Sequence, residues 1–143
     1  MYDKILVPTD GSEVSRRATE HAVDLAEKYG ATVTALYVVD IGRLEGMSLD
    51  VGGSIERLED EGEDYVAAVV DAAESAGLDA GSEIRLGKPA EEILEYADEA
   101  GVDLIVMGTH GRGGLGRRLL GSVTERVVRL SDVPVHVVNE KAE

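Results

Sequence analysis

Short apolar runs alternate with amphipathic segments along the chain, and this alternation restricts the possible folds more than any other feature. The apolar runs predict five strands, at residues 4–7, 32–39, 83–86, 103–107 and 133–138. The amphipathic segments predict four helices, over residues 12–29, 55–76, 88–100 and 122–130. Residues 40–53, which contain several glycines, are interpreted as an irregular loop.

Strict alternation of strand and helix favours an α/β fold: a single-domain, open, doubly wound, parallel five-stranded sheet with helices on both faces. The runs at 4–7 and 103–107 are apolar after their first residues, Lys4 and Asp103, and predict central strands, whereas the alternating run at 83–86 suits an edge. Ligands of such sheets bind beyond the carboxyl ends of the strands, where the strand order reverses. The turns at Asp10 and Gly108 would line that crevice.

Composition limits the chain to a few classes of protein. With 143 residues, 43% of them apolar, the sequence predicts one domain, residues 1–143, with one adequate core. The absence of cysteine excludes disulfides and thiol chemistry. No apolar run reaches about 18 residues, and the first residues lead straight into a strand, so we expect a cytoplasmic protein that does not bind membranes. A net charge of -15 argues against a nucleic-acid partner.

One segment departs from this acidity. Residues 104–124 contain no acidic side chain, but they hold His110, three arginines and six glycines. Glycines let a backbone approach a ligand closely, and arginines and backbone N–H groups suit phosphate oxygens, especially where a helix N-terminus follows. The segment is therefore interpreted as a phosphate-binding loop.

Other motifs within this loop fail on their context. Residues 111–116 spell G-x-G-x-x-G, but only one strand follows and Asp132 precedes that strand rather than ending it. Residues 116–122 spell a P-loop without its lysine, so Walker-type hydrolysis is not supported. Asp10 stands alone after the first strand, unlike the paired acids of a phospho-receiver domain, and closing a turn remains a possible sole role for it.

The residues also match a known family. The chain resembles the universal stress protein family over essentially its whole length, through the segments KILVPTDGSE, GKPAEEIL and DLIVMGTHGRGG. The nucleotide motif of that family is glycine, two residues, glycine, nine residues, glycine, then serine or threonine. It is complete here as Gly108, Gly111, Gly121 and Ser122. The resemblance implies a Rossmann-like domain that binds ATP, with Mg or Mn on the phosphates.

The resemblance also implies a set of binding residues. Pro8 to Asp10 match the turn beside the adenosine, Val38 a backbone contact to adenine, and Met107 with Gly108 the turn under the ribose. The remaining matches form the triphosphate shell. The full set is Pro8, Thr9, Asp10, Val38, Met107, Gly108, Gly111, Arg112, Gly121, Ser122, Val123 and Thr124.

The residues themselves agree with a phosphate shell at this point. Ser122 and Glu125 have the spacing of a capping box, which predicts a helix N-terminus with free N–H groups and the hydroxyls of Ser122 and Thr124 near the phosphates. Which of Arg112, Arg117 and Arg118 meets the γ-phosphate is left open.

Three functions are compatible with these residues. The first is an ATP-binding stress-response or signalling module with slow or no turnover. The second is an ATP-hydrolysing or nucleotidyl-transfer enzyme of the same fold, although no nucleophile–base pair is evident. The third is an interaction protein whose nucleotide site is vestigial. The apolar last strand, residues 133–138, also predicts a homodimer formed through a sheet edge.

The excess of acidic residues generates a prediction about salt. Lys and Arg number 14 against 29 Asp and Glu, and Phe and Trp are absent, a composition that suggests adaptation to high salt. Because salt screens self-repulsion, we expect the melting temperature to rise steadily from dilute buffer to molar KCl. Calorimetric scans over a KCl series measure this, and equal stability in dilute buffer would count against salt adaptation.

Overall fold

A computed structural model describes residues 1–44, 51–110 and 120–140. Its elements are β1 (Lys4–Pro8), α1 (Glu13–Tyr29), β2 (Thr32–Asp40), α2 (Ile41–Leu44), α3 (Val51–Ser75), β3 (Ala80–Gly87), α4 (Pro89–Ala100), β4 (Leu104–Gly108), α5 (Ser122–Leu130) and β5 (Val135–Val138). The strands form one five-stranded sheet in the order β3-β2-β1-β4-β5, and every neighbouring pair is parallel. The predicted α/β fold is confirmed.

The helices cover both faces of this sheet. Ile5 and Val7 of β1 face a cluster with α1 and α3, whereas Leu6 faces a cluster with α4 and α5. Successive side chains of a strand point to opposite faces, so an inner strand buried on both sides must be apolar throughout. The run at residues 4–7 therefore specified a central strand.

The predicted positions of the other strands are also confirmed, with small shifts at their ends. β4 lies inside the sheet, and β3, which includes the alternating run at 83–86, forms one edge. The last strand begins at Val135 rather than residue 133, because Pro134 has no N–H to donate. Its carbonyl nevertheless accepts a hydrogen bond from the Ile105 N–H at 3.0 Å.

The prediction of an irregular loop over residues 40–53 is wrong in part. Ile41–Leu44 form the short helix α2, and α3 begins at Val51 in spite of Gly52 and Gly53. Ile55 and Leu58, in the first part of α3, pack against the core, and such packing outweighs the weak helix propensity of glycine. Residues 45–50 of the predicted loop lie outside the described residues.

Asp103 ties the two central strands together at the amino edge of the sheet. Its carboxylate accepts hydrogen bonds from the backbone N–H groups of Asp3 at 2.9 Å and Lys4 at 3.0 Å. These donors hold the pKa of the Asp103 carboxyl below its usual range. The carbonyl of Lys4 accepts in return from the Asp103 N–H at 2.9 Å. The register of β1 and β4 is thus fixed where the two strands begin.

Within the described ranges, no helix is both long enough and apolar enough to cross a membrane.

Candidate functional site

The strand order of the sheet reverses beside β1. The chain passes from β1 to β2 on one side, and β4 later occupies the other side of β1. Pro8, the last residue of β1, pairs with Leu36, and β2 continues beyond that point to Asp40. β2 therefore extends beyond the end of β1, level with the end of β3, and borders the crevice expected at the carboxyl edge. In open α/β sheets this is where ligands bind.

The turn after β1 is held by its own side chains. The Asp10 carboxylate accepts from the Ser12 N–H at 3.0 Å, and Gly11 has a φ of 77°, a conformation that favours glycine. The Ser12 hydroxyl in turn caps α1 by accepting from the Ser15 N–H at 3.3 Å. The half-buried Asp10 carboxylate therefore stays at the crevice, fixed by a turn that ends in a helix N-terminus.

The end of β4 approaches α1 very closely. A Cβ on Gly108 would lie 2.9 Å from Cγ1 of Val14, a residue of α1 that is buried in the core. Only a residue without a side chain allows this approach. Gly108 thus brings the end of β4 up to the first turn of α1, and the turns that follow the two strands lie side by side.

The chain is also pinned where α5 begins. The Gly121 N–H donates to the Thr109 carbonyl at 2.7 Å, and the Thr124 hydroxyl donates to the Gly108 carbonyl at 2.7 Å. Thr124 is buried, and its hydroxyl hydrogen is already committed to this backbone bond. Its expected role as a hydroxyl donor to phosphate therefore does not fit this arrangement, since its hydroxyl fixes the helix to the end of β4 instead.

The capping box expected at α5 is wrong. Gly121 is the N-cap, Ser122 is already the first helical residue, and no side chain of the described residues caps this helix end. Glu125, expected to reach back to the helix start, instead pairs with Arg129 at 2.9 Å. The reason is the Gly121–Thr109 bond, which places residue 121 rather than 122 at the boundary.

The first turn of α5 consequently presents unpaired donors. The backbone N–H groups of Ser122, Val123 and Thr124 donate to no acceptor among the residues that the structure describes. Unpaired N–H groups and the helix dipole together favour a bound anion. The Ser122 side chain is exposed beside them.

Sequence reasoning missed two side chains at this edge. His110 is buried beside Gly121, and its Nε2 lies 2.9 Å from a carboxylate oxygen of Glu140, a residue just past β5. The Thr109 hydroxyl is buried and has no hydrogen-bond partner within the described parts of the chain. The two residues belong to the acid-free segment, but no local pattern signals the contact between His110 and Glu140.

Most of the predicted binding residues meet at this edge. The ends of β1 and β4 bring together Pro8, Thr9, Asp10, Met107 and Gly108, with Val38 half-buried on the projecting part of β2. The start of α5 adds Gly121, Ser122, Val123 and Thr124. Gly111 and Arg112, together with Arg117 and Arg118, lie outside the described residues.

Two other kinds of binding site can be considered among the described residues: a cluster of metal ligands, and a pocket away from the carboxyl edge. In residues 1–44, 51–110 and 120–140, no three His, Asp or Glu side chains are arranged to hold a metal ion. A shallow depression lies at the opposite, amino edge of the sheet, where the C-terminal ends of α4 and α5 meet, and its lining includes Asp98 and Asp132. Carboxylates and helix C-termini disfavour anions, so this depression does not suit a phosphate.

Comparison with known proteins gives a consistent result. The model of the universal stress protein family matches residues 1–139. Universal stress protein MJ0531 of Methanocaldococcus jannaschii is 43% identical over 98% of this chain and 84% of its own length.

Solved structures are similar throughout the fold. The structure of MJ0577, a universal stress protein of the same archaeon, is 35% identical and superimposes with a TM-score of 0.90, covering 100% of this chain and 99% of that one. A universal stress protein in complex with cAMP is 30% identical, with a TM-score of 0.69 and 96% of each chain covered.

The contact between Gly108 and Val14 generates a prediction about stability. We expect Gly108→Ala to lower the free energy of unfolding by about 1–3 kcal/mol, since the new methyl group would overpack a buried contact. Gly81→Ala, in the edge strand β3, is the matched control because its Cβ would meet nothing within 4 Å. Urea unfolding of both variants measures the difference, and equal stability would contradict the close approach.

Proposed function

The chain belongs to the universal stress protein family, and on that premise we propose that it binds ATP at the carboxyl edge of its sheet, as a nucleotide-dependent stress-response or signalling module. The observation that carries the proposal is the uncapped start of α5 beside the ends of β1 and β4. Three backbone N–H groups without partners in the described chain face the point where an open α/β sheet takes its ligands. The triphosphate is the part of ATP that such donors suit.

Gly121 supports close contact between backbone and phosphate. A Cβ at this position would lie 3.1 Å from the His110 Cα and 3.3 Å from the Thr109 carbonyl oxygen. A glycine therefore lets the start of α5 lie directly against the chain that follows β4, which holds its first N–H groups at the carboxyl edge of the sheet. In a chain of net charge -15, an acid-free segment is also where a triphosphate meets least repulsion.

The turn after β1 suits the nucleoside half of the ligand. The Asp10 carboxylate is half-buried and held at the crevice by its bond to Ser12, so it can accept a hydrogen bond from a ribose hydroxyl. Val38 lies beyond the level of Pro8 on the projecting end of β2, where its backbone can meet the adenine edge. The similar protein in complex with cAMP is consistent with an adenine nucleotide as ligand.

The proposal includes a divalent ion, Mg or Mn, carried mainly by the phosphates. Among the described residues no cluster of three potential ligands exists, so the protein would contribute few ligands to that ion. The sequence shows no evident nucleophile–base pair, which favours slow or absent turnover. The proposal places the protein in the cytoplasm, where ATP is available.

Ser122 provides the first test of this site. We expect Ser122→Ala to weaken ATP binding by about 1–2 kcal/mol, roughly five- to thirty-fold in Kd, because one hydroxyl bond to a charged phosphate is lost. The N–H donors of the backbone remain, so binding should not vanish. Titration calorimetry with ATP measures the change, and Ser75→Ala, an exposed serine at the far end of α3, is the matched control.

Two results would contradict an ATP site at the start of α5: a parent protein that does not bind ATP, or a Ser122→Ala variant that binds ATP as tightly as Ser75→Ala does. Gly121→Val should abolish binding in the same assay, because its side chain would press on the backbone of Thr109 and His110 and displace the N–H groups at the start of α5. The same contact can destabilise the fold, so the unfolding curve of this variant is measured alongside.

We extend the proposal to a homodimer formed through β5. The carbonyls of Pro134 and Val138 accept bonds from β4, so by the alternation of a parallel ladder the polar backbone groups of Val135 and Val137 point to the free edge. The other edge strand, β3, is less suited to pairing. Its Arg85 binds Glu83 and Glu99 at 2.6 Å each, which covers that edge with charge.

The outward N–H of Val137 allows a specific test. We expect Val137→Pro to convert the dimer to a monomer, because proline removes that donor while leaving the ladder to β4 intact. Val137→Thr keeps the N–H and nearly the same shape, and it should remain dimeric. Light scattering at micromolar concentration gives the masses, and a monomeric parent protein or a dimeric proline variant would refute the β5 interface.

A further inference from the structure

Two of the three histidines of the chain lie together, away from the nucleotide crevice. His21 belongs to α1 and His136 to β5, and their ring centres are 5.5 Å apart with the rings tilted by 44°. They are separated by more than a hundred residues in sequence, so the fold alone brings them together.

Both imidazoles are available to a ligand. Each side chain is half-buried, and neither ring makes a hydrogen bond to another residue in the described chain. The alternation of β5 explains the contact, since Val138 faces the core beneath α1 and His136, two residues earlier, shares that face.

The surroundings hold the pair in place. Arg17, one turn before His21 on α1, donates through Nε to the Asn139 carbonyl at 2.8 Å. This bond fixes α1 to the chain just beyond β5, independently of the two rings. The histidines therefore do not have to be brought together by a ligand, which lowers the entropic cost of binding one.

We infer that His21 and His136 form a binding site for a divalent transition-metal ion of the zinc class. Two imidazoles that share one tetrahedral ion through bonds of about 2.0–2.1 Å have ring centres roughly 5 Å apart. The observed 5.5 Å lies close to that separation. The protein supplies two nitrogen ligands, and water completes the coordination.

The chemistry of the site selects this class of ion. Neutral imidazole suits zinc, nickel and copper, whereas magnesium and calcium prefer oxygen ligands. The net charge of -15 raises the local concentration of any cation at the surface. The absence of cysteine removes the ligand that would otherwise compete for zinc.

The test uses zinc alone, without nucleotide, and reads the histidine rings by NMR. With three histidines in the chain, the ring signals of a labelled protein can be assigned individually. We expect the signals of His21 and His136 to shift together and to saturate at one zinc per chain, as calorimetry should confirm. The same addition of magnesium, which binds carboxylates, should leave both rings unchanged.

Single variants separate chelation from weak surface binding. His21→Gln and His136→Gln should each weaken zinc binding at least tenfold, because one imidazole cannot chelate. Equal zinc affinity in either folded variant, or ring signals of His21 and His136 that do not respond to zinc in the parent protein, would overturn the inference. The parent measurement decides the question even if a variant fails to fold.

Discussion

The pairing of β1 with β4 is the constraint on which the rest of the geometry depends. It joins segments about a hundred positions apart, and closing so long a loop costs entropy that local contacts must offset. At the amino edge the Asp103 carboxylate accepts hydrogen bonds from the N–H groups of Asp3 and Lys4, where β1 begins. At the carboxyl edge Gly108 abuts Val14. Because the β1–β4 pair is fixed at both of its ends, the turns that follow the two strands lie side by side at one crevice.

Patterns of side-chain polarity predicted the architecture because burial on two faces requires an apolar strand and burial on one face an alternating strand. That rule placed β1, β4 and β3 correctly. Local patterns did not predict features that arise from distant contacts. The N-cap of α5 is Gly121 rather than the predicted Ser122, because the Gly121 N–H donates to the Thr109 carbonyl just after β4. The contact of His110 with Glu140 likewise has no trace in the sequence around either residue.

The direction of the strands also sorts charge between the two edges of the sheet. Helices that follow parallel strands start at the carboxyl edge, so the N–H ends of α1 and α5 gather there. The C-terminal, carbonyl-bearing ends of α4 and α5 lie at the amino edge, close to Asp98 and Asp132. An anion is therefore favoured at one edge and disfavoured at the other by backbone geometry, before any side chain contributes. Residues 109–110 and 121–122 of the acid-free segment, just after β4 and at the start of α5, lie at the edge where the backbone already favours an anion.

The order of the strands in the sheet has a consequence for synthesis. The chain up to Gly87 can assemble β3, β2 and β1 once it has left the ribosome, but β1 is then an outer strand. Its permanent neighbour, β4, begins at Leu104. At about 5–20 residues per second, the ribosome needs on the order of 5–20 seconds to deliver it after β1 has been made. During that interval one edge of an apolar strand is unpaired, which favours aggregation, whereas the net charge of -15 opposes it through repulsion between chains.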